Sequence, residues 1–173
     1  MILNRKNIFK NFPWIKQKKK KFIISADYNG LICASFLSHI LNWELVGYYN
    51  LESLWISKEK TNNYNDIIWV DLNILPKQGK AIGGHIVSLE NQTPKGFRTS
   101  CNPNLLLGLT SSDFKNKFPF STLIFLLWLH NYQIKKTLVA RLLVLHSDDT
   151  WLKCQKYNNN VNKWIEILTD FNW

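Results

Sequence analysis

The stretch that decides the fold is Phe22-Ile23-Ile24-Ser25-Ala26-Asp27-Tyr28-Asn29-Gly30-Leu31. Its first four residues form a short β-rich run after Lys18-Lys19-Lys20-Lys21, and Asp27-Tyr28-Asn29-Gly30 is turn chemistry. From Gly30 to Leu41 the residues Leu31, Ala34, Leu37 and Leu41 recur at helical spacing. The segment therefore predicts a strand, a loop and a helix, with a second short strand at residues 44–48.

Outward from this unit the pattern repeats. Residues 57–65 are polar and predict a loop. Residues 66–72, Asp-Ile-Ile-Trp-Val-Asp-Leu, are nearly continuously apolar, as in a central parallel strand covered on both faces. Residues 80–89 form another apolar run, broken by Gly83-Gly84-His85, and 90–104 predict a loop. Residues 121–130 predict a buried helix capped by Ser121 or Thr122. Residues 137–145 fit a strand or a buried helix equally, and 158–171 carry Val161, Trp164, Ile165 and Leu168 at helical spacing. Strands alternating with helices imply an α/β fold, a mostly parallel sheet flanked by helices. Ligands in such sheets bind beyond the carboxyl ends of the strands.

The length, 173 residues, suits one domain, and 46% hydrophobic residues supply a core. The net charge of +10 is uneven: residues 1–22 hold eight basic residues and no acid, leaving 14 basic and 12 acidic residues beyond them. The expected organisation is a basic N-terminal segment, 1–21, followed by a single α/β domain, 22–173. Such a segment suits phosphates of nucleic acid or an acidic partner, or else is a solvated lead-in. Cys33, Cys101 and Cys154 are far apart, which argues against a disulfide framework or zinc knuckle and fits a reducing, cytoplasmic setting. No signal-peptide pattern follows the early basic residues, and the apolar run 123–129 is too short to span a bilayer, so no membrane association is expected. The Asn-, Lys- and Ile-rich usage is that of an AT-rich genome and suits a phage or other mobile element.

The polar residues at expected strand ends are Asp27, Asn29, Asp71, His85, and Asp148 or Asp149. Carboxylates and an imidazole converging on one edge suit manganese or magnesium, and two metals together can act on a phosphodiester. Taken singly, each also has a plain structural use, an Asp as a helix cap and a His as a core or surface residue.

Residues 24–35, Ile-Ser-Ala-Asp-Tyr-Asn-Gly-Leu-Ile-Cys-Ala-Ser, resemble the first motif of the DHH phosphoesterase superfamily, which includes the RecJ exonucleases. Residues 67–71 resemble the second motif, a strand ending in Asp71; Gly83-Gly84-His85 stands where Asp-His-His would be, and Asp148-Asp149-Thr150 resembles the fourth. The resemblance spans residues 22–152 in family order and implies a three-layer sandwich. It implies metal ligands Asp27, Asn29, Asp71, His85 and Asp149, with Asp27, Asp71, His85 and Asp149 catalytic. The departures bear on function. Asn29 replaces an Asp, Gly83 and Gly84 replace two ligands, Ser25 stands where many members carry His, and the second domain has no room.

Gly83-Gly84 thus marks lost catalysis, or alternatively a bare backbone close to a phosphate. Arg98, Lys115 and Lys117 among Phe97, Phe114, Phe118 and Phe120 suit single-stranded nucleic acid, as do Lys18, Lys19, Lys20 and Lys21, unless those rings are core. The expected function is a degenerate DHH/RecJ-like domain that binds nucleic acid or a nucleotide. The alternatives are an active manganese-dependent phosphodiesterase and a protein-interaction subunit on the same scaffold.

Overall fold

The structure, a computed structural model, describes residues 2–60, 63–72, 79–90, 92 and 95–172; parts of the loops expected at 57–65 and 90–104 lie outside these residues. Strands β1 (Lys21–Ser25), β2 (Glu44–Tyr49), β3 (Leu54–Ile56), β4 (Ile68–Val70), β5 (Lys80–Ile82) and β6 (Ser100–Cys101) form one sheet in the order β3-β2-β1-β4-β5-β6. All neighbours are parallel except the β2–β3 pair. The expected α/β fold, a mostly parallel sheet with helices around it, is what the chain adopts.

The chain runs from β1 outward to β2 and β3, then crosses back to β4 on the other side of β1. Strand order therefore reverses between β1 and β4. In open α/β sheets the crevice at such a reversal is the preferred ligand position. Asp27 follows β1 and Asp71 follows β4, so the fold brings the two ends together there.

The main core lies on the sheet face carrying Phe22, Ile24, Ile68, Val70, Ile82 and Cys101. Helix α2 (Tyr28–Leu41) covers it through Cys33, Ala34 and Leu37. It starts where the Asp27 carboxylate accepts the Gly30 N–H and stops at Asn42 in the left-handed region, φ 52°. After the short helix α3 (Pro103–Leu106), helix α4 (Thr122–Leu129) packs on α2; every α4 residue is buried, which its uniformly apolar sequence permits. A smaller cluster of Ile23, Val46, Ile67 and Leu72 lies apart from this core.

The basic N-terminal segment packs into the same core. Helix α1 (Arg5–Asn11) and the turn after it bury Ile8, Phe12, Trp14 and Ile15, while Lys6, Lys10, Lys16, Lys18 and Lys19 are exposed. The Leu3 N–H bonds the Ile167 carbonyl of the C-terminal helix α7 (Asn158–Ile167), α5 (Leu138–His146) and α6 (Thr150–Lys156) preceding α7 in the chain. The ambiguous run at 137–145 is helical: Thr137 caps it by accepting the Ala140 N–H. No helix of the described residues is long and apolar enough to cross a membrane.

His130 caps the end of α4 with Nε2 buried and unpartnered. Burial, aided by the Lys16 charge, pushes its pKa down to about 4. The folded state keeps His130 neutral while the unfolded state takes up a proton, so its contribution to stability diminishes as pH falls from about 6.5 toward 4. Urea midpoints at pH 7 and pH 5 should therefore differ more for the wild type than for His130→Leu; equal differences would refute this.

Candidate functional site

Asp71 ends β4 with φ 61°, a left-handed conformation that Asp tolerates better than most residues. It is 2% exposed. Ser25 Oγ donates to its Oδ2 at 2.8 Å, and Asn29 Nδ2 donates to its Oδ1 at 2.7 Å. His85 Nε2 is paired with the same Oδ1 at 2.8 Å. Three side chains from three segments thus converge on one buried carboxylate.

Asn29 is the second hub. Its Oδ1 accepts Ser147 Oγ at 2.7 Å, the Leu123 N–H at 3.4 Å and the Cys33 thiol at 3.7 Å. The amide therefore ties the start of α2 to the end of β4, the start of α4 and the turn before α6. Burial, reinforced by the nearby Asp71, Asp27 and Asp148 charges, pushes the Cys33 thiol well up, so it stays protonated.

His85 lies between two acids: Asp71 on Nε2 and, on the Nδ1 side, Asp148 Oδ2 at 3.9 Å. Burial works against the imidazolium, but the Asp71 hydrogen bond and charge, with Asp148 adding to them, outweigh it and move the pKa upward. Asp148 Oδ2 also holds Lys153 Nζ at 2.5 Å. Asp148 and Asp149 are consecutive left-handed residues, φ 55° and 49°.

The expected site residues separate into groups. Asn29, Asp71 and His85 come together. Asp27 is exposed and turned to its own helix as a cap. Asp149 is exposed, and it is Asp148 that faces His85. Ser25, Ser147 and Lys153 complete the network without having been singled out as site members. Ser147 and Lys153 had one usable signal, their closeness in sequence to Asp148. The cationic set divides as well. Lys18, Lys19, Lys20, Lys21 and Arg98 lie at the amino ends of β1 and β6, opposite Asp71, and Lys21 Nζ is bonded to the Lys60 carbonyl. Lys115 is exposed, and Lys117 lies over the Phe114 ring at 4.2 Å. Burial and the Lys153 charge lower the Lys117 pKa, against a smaller opposing effect of Asp148, so Lys117 stands near the Asp148 end of the network.

These side chains do not fit a two-metal centre. The oxygens of Asp71 already receive two donated hydrogen bonds and the His85 pairing, Asn29 presents its N–H2 to Asp71, and the Asp27 carboxylate caps α2. Among the described residues no group of three or more His, Cys, Asp or Glu side chains is placed to hold a metal ion.

Gly83 and Gly84 have ordinary φ, and the Gly83 N–H is bonded to the Cys101 carbonyl, so they form no open anion cradle. A Cβ on Gly84 would stand 2.5 Å from the Phe118 ring, which is wedged among Phe120, Phe125 and Trp164. The space a side chain at 84 needs is thus filled by Phe118. Comparison with protein-family profiles, curated proteins and solved structures found no match to this chain.

Two predictions follow from this packing. Asp71→Ala strands the Ser25, Asn29 and His85 donors and should lower unfolding free energy by about 3–5 kcal/mol, whereas Asp149→Asn, which keeps a side chain that tolerates the left-handed turn, should change it by less than about 0.5 kcal/mol; chemical denaturation reads both. Gly84→Ala should cost about 1–3 kcal/mol through the Phe118 clash, while Gly83→Ala, whose new Cβ meets neighbours at 3.6 Å, should melt like the wild type.

Proposed function

We propose that this protein binds nucleic acid or a nucleotide at the carboxyl edge of its sheet, on a DHH/RecJ-like scaffold whose catalytic power is lost. The observation that carries this proposal is the 2.7 Å hydrogen bond from Asn29 to Asp71. At that distance a second carboxylate at position 29 would repel Asp71 unless a cation lay between them; the amide instead donates a proton and closes the network without one. Phe118 in the space beside Gly84 supports the same conclusion, since a ligating side chain there has no room. The motif order along residues 22–152 and the β1–β4 reversal support the scaffold assignment, although a fold by itself does not fix an activity.

Binding is supported by charge and stacking surface beside the network. Lys117 and Lys153 supply cations, and Phe114, 56% exposed, supplies a ring on which a base can stack. Three unpaired cysteines, two of them buried, suit the reducing cytoplasmic setting in which we place the protein.

Fluorescence anisotropy with a labelled single-stranded oligothymidylate tests this. Affinity should fall steeply between about 50 and 200 mM salt. Lys117→Gln should weaken binding and reduce the salt slope by about one unit. Incubation with manganese should leave the oligonucleotide intact. Absent or salt-insensitive binding would sink the proposal, and manganese-dependent cleavage lost in Asp71→Asn would replace it with an active phosphodiesterase.

A further inference from the structure

Between α6 and α7 the chain leaves the helical path at a single residue, Tyr157, with φ −126° and ψ 43°. Three consecutive asparagines, Asn158-Asn159-Asn160, then form the first turn of α7. Asparagine suits the cap of a helix and weakens its interior, because its side chain competes for the backbone. Here Tyr157 holds the cap position and no side chain caps α7, so the asparagines stand where they do not help the helix. One of them helps fix the fold: Asn160 Nδ2 donates to the Lys117 carbonyl at 2.9 Å. Trp164 Nε1 donates to the neighbouring Asn116 carbonyl at 2.9 Å. These two bonds hold residues 116 and 117 against α7.

A pocket of about 410 Å3 opens there, lined by Asn116, Gln155, Lys156, Tyr157 and the three asparagines. Its volume is that of a small-molecule site. The lining comprises five amides, one phenol ring and one cation, with no acid. The side chains of Asn116, Gln155 and Asn159 make no hydrogen bond among the described residues. Tyr157 is 58% exposed, which leaves its ring open to stacking. The sequence has no Asp or Glu between Asp149 and Glu166. Asn116 adjoins Lys117 and lies two residues after Phe114, so the pocket continues that cationic and aromatic surface. Residues 155–160 lie outside the stretch, 22–152, that carries the motifs.

The lining selects the ligand. An amide offers a donor and an acceptor side by side, as the edge of a base does. Asn and Gln pair bidentately with adenine, whereas cytosine is read by Asp or Glu and guanine chiefly by Arg. Five amides without an acid or an Arg favour adenine, and the single Lys156 is left to meet a phosphate. A base in this position stacks on Tyr157. A neutral sugar would use the amides and the ring but leave Lys156 without a counter-charge.

We propose, resting on the nucleic-acid binding proposed for the Lys117–Phe114 surface, that the pocket at the α6–α7 junction recognises an adenine base, carried by a single strand or by a free nucleotide.

Fluorescence anisotropy on the full chain compares labelled oligodeoxyadenylate with oligothymidylate of equal length, and calorimetry follows adenosine monophosphate. The adenylate strand should bind about tenfold more tightly than the thymidylate strand. The joint variant Gln155→Ala with Asn159→Ala should lose that preference and keep its thymidylate affinity within about twofold, which also shows that it is folded. Binding of the monophosphate alone, lost in the joint variant, supports a pocket for free nucleotide. Binding of the adenylate strand without the monophosphate supports a base held within a strand. Equal affinity for the two strands, or a preference that survives in the joint variant, overturns the adenine pocket and leaves nucleic-acid binding standing. Absence of binding by both strands and by the monophosphate overturns both proposals. Displacement of the adenylate strand by maltotriose assigns the pocket to a neutral sugar and overturns this proposal alone.

Discussion

One hydrogen bond organises the carboxyl edge of this sheet: the Asn29 amide donates to the Asp71 carboxylate, deep in the molecule. A buried carboxylate is costly unless donors surround it, and hydrogen bonds to a charged group are worth about 1.5–3 kcal/mol each. Asn29 is suited to this because it is an amide. Its nitrogen satisfies Asp71 while its oxygen gathers Ser147, the Leu123 N–H and the Cys33 thiol. Three segments distant in sequence are thereby fixed to one side chain. An acid at the same position would lose the donor and add a repulsion. The strand-order reversal that creates a crevice in this class of sheet is thus closed here from within.

Beyond the network lie Lys153 on Asp148 and Lys117 over Phe114. Elsewhere α5 exposes aliphatic side chains, and Lys135, Lys136 and Arg141 are exposed in the same stretch of chain. At the opposite edge, Lys18–Lys21 and Arg98 gather at the strand amino ends. The strong basicity is therefore distributed over separate faces, and a single count of +10 conceals this.

Particular residues show what was legible. Asp27 as the residue ending one element and starting the next was plain from turn chemistry, and its role as an α2 cap agrees with that local pattern. The helix from Gly30 to Leu41 was plain from its period, because each turn of α2 packs on the core. Strands β3 and β6 were not, since three or two residues carry no period. The N-terminal segment hid α1 because its lysines are read first, while Ile8, Phe12, Trp14 and Ile15 between them are the part that packs. The run at 137–145 was undecidable because nearly every residue is apolar, so neither period stands out; the Thr137 cap and one-sided attachment settle it as a helix.

By itself the sequence determined the α/β alternation, the core-forming runs and the placing of Asp27, Asp71 and His85 at strand ends. These follow from local periodicity and turn chemistry, which involve neighbours in the chain. Only the tertiary structure decided which side chains meet. It chose Asp148 over Asp149 beside His85, turned Asp27 to its own helix, set Phe118 against Gly84 and made Asn29 a hub. The reason is physical: hydrogen bonds act over about 3 Å and depend on direction, and the partners come from segments separated by as many as 118 positions, so their meeting is a property of packing and not of local pattern.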